Sequence, residues 1–204
     1  MKQLLYGILI MLAWQGFHPG GALAQIQPEI EISLAEGSPD EEAARQQLRR
    51  LLERYALSPW IFTDRVLIQA GVRAHSHPVL TLNTRFLDQD DKQLSFFVHE
   101  QLHWYLEAEA GAREEAIEDL RRMYPEVPVG GSEGARSEYS TYLHLLVGWL
   151  EWRAMICLSG EAQAREVYTG MKMYRWIYER VLDDDAALGR VMEEHGLVIS
   201  LDRG

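Results

Sequence analysis

Between residues 79 and 110 the chain changes its hydrophobic period, and that change constrains the fold more than any other feature. Val79-Leu80-Thr81-Leu82-Asn83-Thr84 alternates with period two, as a strand with one buried face does. Residues 91–110 then place Leu94, Phe97, Val98, Leu102 and Leu106 on one stripe, as an amphipathic helix does, and Asp90 or Asp91 can cap its start. A strand thus feeds a helix across a short connection, and the helix carries His99-Glu100-Gln101-Leu102-His103.

That pentad reads H-E-x-x-H. Two histidines four apart lie one turn apart on the same helical face, so both imidazoles can reach one ion. Glu100 projects beside them, where a carboxylate can take a proton from a metal-bound water. In these five residues, and more loosely in the strand–helix unit around them, the chain resembles the zincin metallopeptidases. The resemblance implies one Zn2+ per chain, a peptide or protein substrate, Glu100 as general base, and a strand lying along the substrate cleft. No histidine follows within about ten residues of His103, so the compact H-E-x-x-H-x-x-G-x-x-H pattern of the metzincins is absent.

A catalytic zinc keeps three protein ligands and one open position, so the pentad lacks one. Residues 137–158 form a long apolar helical run with three candidate donors: Glu138, His144 and Glu151. His144 and Glu151 are seven apart and share a face, with Gly148 between them. Glu138 points about 120° away, toward the side of Tyr142. The face of His144 is favoured. A histidine on so apolar a helix needs a polar partner, and Gly148 would let the pentad helix approach closely. Glu151 then serves to orient His99 or His103 through the second ring nitrogen. If Glu151 or Glu138 ligates instead, the site is of the two-histidine, one-glutamate type.

The first 24 residues are expected to be a secretory signal peptide. Lys2 is followed by an apolar run over residues 4–14 and by the small-residue tripeptide Ala22-Leu23-Ala24. The expected mature chain, residues 25–204, would be periplasmic or secreted, with no membrane span after cleavage, and would form one domain. The full chain has 20 basic and 31 acidic residues, and loss of Lys2 takes its formal charge from −11 to −12. So acidic a protein is a poor partner for nucleic acid or an anionic membrane. Cys157 is the single cysteine; it excludes an internal disulfide, and its neighbours Met155, Ile156 and Leu158 point to a buried small hydrophobe.

Elsewhere, residues 25–37 read as an extended leader. Ser38-Pro39-Asp40-Glu41-Glu42 starts a helix running to about Tyr55, with Leu48, Leu51, Leu52 and Tyr55 inward. Residues 66–72 read as a strand, 73–78 as a turn, and 79–84 as its hairpin partner. Helices are expected over 113–123, 137–158 and 161–182, with a last one to Glu194, and 197–201 as a short strand. The fold class is α+β: mainly helical, with a small antiparallel sheet preceding the active-site helix.

His75 and His77 are a weaker metal candidate, His195 reads as a helix cap, and Tyr105, Tyr139, Tyr142, Tyr174 and Tyr178 are possible oxyanion donors. Three functional classes follow: an exported zinc hydrolase, a non-catalytic zincin-like binding protein with a structural metal or a peptide-docking cleft, or a helical structural or interaction protein in which the pentad is accidental. The oligomeric state is left open.

Overall fold

The computed structural model describes residues 29–200; the expected signal peptide lies outside them. Three short strands and seven α-helices follow one another: β1 (Glu31–Leu34), α1 (Pro39–Arg54), β2 (Arg65–Ile68), β3 (Leu80–Leu82), α2 (Asp90–Ala108), α3 (Ala110–Met123), α4 (Glu138–Ser159), α5 (Glu161–Thr169), α6 (Arg175–Asp183) and α7 (Asp185–Glu194). Among the described residues, no helix is long and apolar enough to cross a membrane.

The sheet has the order β1-β2-β3 and is parallel throughout, pairing Ile32 with Val66 and Val66 with Leu80. The expected antiparallel hairpin is therefore corrected. Residues 69–79 are long enough to carry the chain back to the same end of the sheet before β3 begins. The turn expected at 73–78 does make an antiparallel bridge, His75 to Thr81, but on the other edge of β3. Period-two alternation reports which face is buried, not which way a strand runs. β1 itself falls in the stretch read as a leader, and its edge position leaves Ile32 and Leu34 only half-buried. The strand expected at 197–201 is also absent among the described residues, where Leu197 packs in the core and its N–H bonds to Met192 O (2.8 Å).

α1 starts with a capping box: Glu41 N donates to Ser38 Oγ, and Ser38 N to Glu41 Oε2. The same buried carboxylate accepts from Glu36 N (2.9 Å) and Ala70 N (3.0 Å), tying α1 to the end of β2. α2 begins at Asp90 with Gln89 in the cap position and no side-chain cap; Asp90 instead accepts from Gln47 Nε2 (2.9 Å).

α4 is the central helix. Its 22 residues are buried over most of the circumference, and α2, α3, α5, α6 and α7 all pack on it. Ser137 caps it by accepting from Ser140 N (3.1 Å). Cys157 is exposed, contrary to expectation: with Arg153, one turn earlier, it lies on the one strip of α4 left uncovered. Gly148 makes room for α6 rather than for the pentad helix, since a Cβ there would lie 3.3 Å from Val181 Cγ2. The single helix expected over 161–182 is two. Gly170 ends α5, and Tyr174, at φ 59°, starts α6 in the left-handed region.

Candidate metal centre

α2 and α4 cross with their polar residues turned toward each other. His99 and His103 come from α2 and His144 from α4, and one ring nitrogen from each lies within 4.8 Å of the others. The ring centroids are 5.1 Å apart for His99 and His103, 5.5 Å for His99 and His144, and 5.0 Å for His103 and His144. Among the described residues this is the one group of three such donors.

Hydrogen bonds fix two of the rings. His99 Nδ1 donates to Glu151 Oε2 (2.8 Å), and His144 Nδ1 donates to the carbonyl of Ser140 (2.6 Å). A carboxylate and a carbonyl can only accept, so both Nδ1 atoms carry a proton and the two Nε2 atoms are left to face an ion. Neither nitrogen of His103 has a hydrogen-bond partner among the described residues. Burial, and then the neighbouring His99, hold the pKa of His103 well below the usual histidine range and that of His144 down to about 3. For His99 burial works downward, but the bond to Glu151 and its charge outweigh it, and the pKa is raised. Three imidazoles crowded around one point, two of them held neutral by burial, suit a divalent cation of borderline softness. The donor set fits zinc.

Glu151 is fully buried, and both its oxygens are committed, Oε2 to His99 and Oε1 to the hydroxyl of Ser95. It therefore orients a histidine rather than joining the cluster. Glu138, the other glutamate weighed as a donor, is exposed and faces Arg121 (3.9 Å). Glu100 is 6 % exposed, and burial pushes its carboxyl up to about 7.

Of the five tyrosines considered, Tyr174 alone reaches the cluster, with its ring 4.7 Å from that of His144. Tyr105 packs on Phe62, Tyr139 donates to Glu114, Tyr142 donates to Tyr124 O, and Tyr178 stacks edge-on against Tyr168 in the core. His75 and His77 stand apart from the three-histidine group. His75 Nδ1 bonds to Arg73 O (3.0 Å), while His77 stacks on Trp104 and pairs with Glu107. His195 is the C-cap of α7 and also reaches Asp119 of α3 (2.9 Å).

Two supporting residues escaped the sequence reading. Ser95, one turn before His99, completes the binding of Glu151. Gln101, a wildcard position of the pentad, is fully buried; its Oε1 accepts from Phe62 N (2.7 Å) and Thr63 N (2.8 Å), and its Nε2 donates to Thr63 O (2.8 Å). A polar side chain on a helix position that periodicity makes internal was the available signal for Gln101. Comparison with protein-family models, with curated proteins and with solved structures finds no match for this chain.

Proposed function

We propose that the chain is an exported zinc-dependent hydrolase, a metallopeptidase of the zincin type. The observation that carries the reading is the convergence of His99, His103 and His144, with Glu100 buried beside them. His99, His103 and His144 hold the ion; Glu151 and Ser140 O fix the rings of His99 and His144. Zinc in such a site supplies Lewis acidity, polarising a carbonyl and making water a stronger acid. Glu100, buried beside the three rings, is the carboxylate placed to accept a proton from the attacking water and to return it to the leaving amine. Among the described residues the cluster offers three donors rather than four, which favours this over a structural metal, normally closed by a fourth ligand.

The test is elemental analysis of the purified protein, joined to peptide hydrolysis. About one zinc per chain is expected. Glu100→Gln should keep that zinc and lose hydrolysis by roughly 100- to 10,000-fold. Full activity in this variant would remove Glu100 from the mechanism, and a chain that takes up no zinc would end the hydrolase reading.

A further inference from the structure

Gln101, the buried wildcard of the pentad, fixes a second wall beside α2. Its side chain holds the backbone of Phe62 and Thr63 through three hydrogen bonds. Glu31 N donates to Asp64 O (2.7 Å), which ties the next residue to the start of β1. Phe62 also packs its ring on Tyr105, 5.0 Å away. Trp104, the residue after His103, is held as firmly. Its indole N–H donates to Ser76 O (2.9 Å), and His77 stacks on the ring with centroids 4.2 Å apart.

Between these walls lies a cavity of about 380 Å3, lined by Ile61, Phe62, Thr63, Asp64 and Trp104. It adjoins the histidine cluster. The 100° step of a helix sets the order around α2 as His99 and His103, then Glu100, then Trp104, then Gln101. The cavity therefore opens on the flank of α2 just beyond Glu100, and its Trp104 wall is one residue along the chain from a donor of the cluster.

The lining combines two aromatic rings, an isoleucine and a carboxylate. Exposed carboxylates are common in so acidic a chain. Asp64 differs from them because it shares a preformed cavity with Phe62 and Trp104. Its carboxylate takes no ion pair or hydrogen bond from any described residue, and the adjacent cation, Arg65, pairs with Glu31 instead (4.0 Å). Nor does the chain supply a cation to the rings. Arg54, Lys92, Arg121, Arg153 and Arg165 each lie over an aromatic ring, whereas no lysine or arginine among the described residues lies over Phe62 or Trp104. Another cavity gives the contrast. Arg54 and Tyr55 both line it, and there Arg54 itself lies over the Tyr55 ring (5.1 Å). At Trp104 the aromatic wall and the negative charge are in place without a cation between them. A long basic side chain complements both, with its stem on apolar surface and its charged head drawn to the π faces and the carboxylate.

We propose that this cavity seats a basic side chain of the substrate, so that the peptide cleaved carries an arginine or lysine near the scissile bond. This rests on the hydrolase reading and names its substrate class. The net charge of −11 favours the same class, because it draws cationic peptides to the surface.

The test uses the zinc-loaded protein and peptide hydroxamates, which anchor on the metal. Acetyl-Arg-Ala and acetyl-Ala-Arg hydroxamates are each compared with the counterpart in which citrulline replaces arginine, a side chain of the same shape without the charge. In one of the two placements the arginine probe should bind about tenfold more tightly at low salt, with the preference shrinking as salt screens it. Asp64→Asn should remove most of that preference and leave the citrulline probe's affinity unchanged. Equal affinity for arginine and citrulline in both placements, with zinc bound, overturns the subsite and leaves the hydrolase reading standing. A preference undiminished in Asp64→Asn overturns it too, since it then reports the acidic surface as a whole. Failure to bind zinc overturns both readings, and metal content separates that result from the others.

Discussion

The floor of the site and its rim are built on opposite principles. On the floor, α2 and α4 are buried, and the polar groups around Glu151 are paired: Glu151 with His99 and Ser95, His144 with Ser140 O. On the rim, Tyr174 lays its ring against His144 from a strained, left-handed backbone. A floor of packed helices holds histidine geometry at the cost of a buried carboxylate, whereas a loop residue at the rim is held by far less packing. Substitutions on the floor should therefore lower stability and metal affinity together. Those on the rim should leave stability nearly untouched or improve it.

The largest effect is expected at Glu151. Removing one partner of a buried pair leaves the other unsatisfied, so Glu151→Ala should lose about 3–5 kcal/mol in urea unfolding. Zinc affinity should fall about 10- to 100-fold as His99 loses its orienting acceptor. A loss no larger than that of a surface substitution would erase the contrast between floor and rim. Phe97→Ala, in the fully buried stripe of α2, should cost about 3–5 kcal/mol through the cavity it leaves. It gives the packing reference against which the polar loss at Glu151 is judged.

Glu41 extends the comparison to a second buried carboxylate, remote from the histidines. Hydrogen bonds from the backbone of Ala70, and then of Glu36, hold its pKa below the ordinary value. A carboxylate depressed in the folded state adds stability above its unfolded pKa, and that stability is lost as pH falls through the folded value. Wild type should accordingly lose more melting temperature between pH 6 and pH 3 than Glu41→Gln does. Parallel curves would show that this carboxylate contributes nothing through its charge.

On the rim, Tyr174→Gly should relieve the left-handed strain and raise stability by about 1 kcal/mol, while Tyr174→Phe keeps the strain and changes stability little. A destabilised glycine variant would mean that packing against His144 outweighs the backbone cost. The smallest effect belongs to Arg73→Ala and Arg136→Ala at the exposed surface, each expected to stay within about 0.5 kcal/mol of wild type in urea unfolding.

The legible parts of this protein were those that a single helix can encode. The i, i+4 spacing put His99 and His103 on one face, and the 100° step per residue separated His144 and Glu151 from Glu138 before any packing was known. The Ser38 cap and the helix after it were equally local. Strand direction was not, because the period-two alternation over residues 79–84 is the same in either orientation. The break at Gly170 is masked in the sequence because the apolar pattern resumes beyond it with Ile177 and Val181. The apolar neighbours of Cys157 point to burial, yet which strip of α4 stays uncovered depends on the helices packed around it.

The sequence by itself determined the α2 helix, its paired histidines, the apolar α4 carrying His144, and the acidic balance. These follow from spacing and composition, which need no partner. Only the tertiary structure decided that the sheet is parallel, that Gly148 serves α6, that Glu151 is spent on His99 and Ser95, and that Tyr174 overhangs His144. Each depends on which surfaces meet, and a one-dimensional pattern specifies the face of an element without specifying what that face touches.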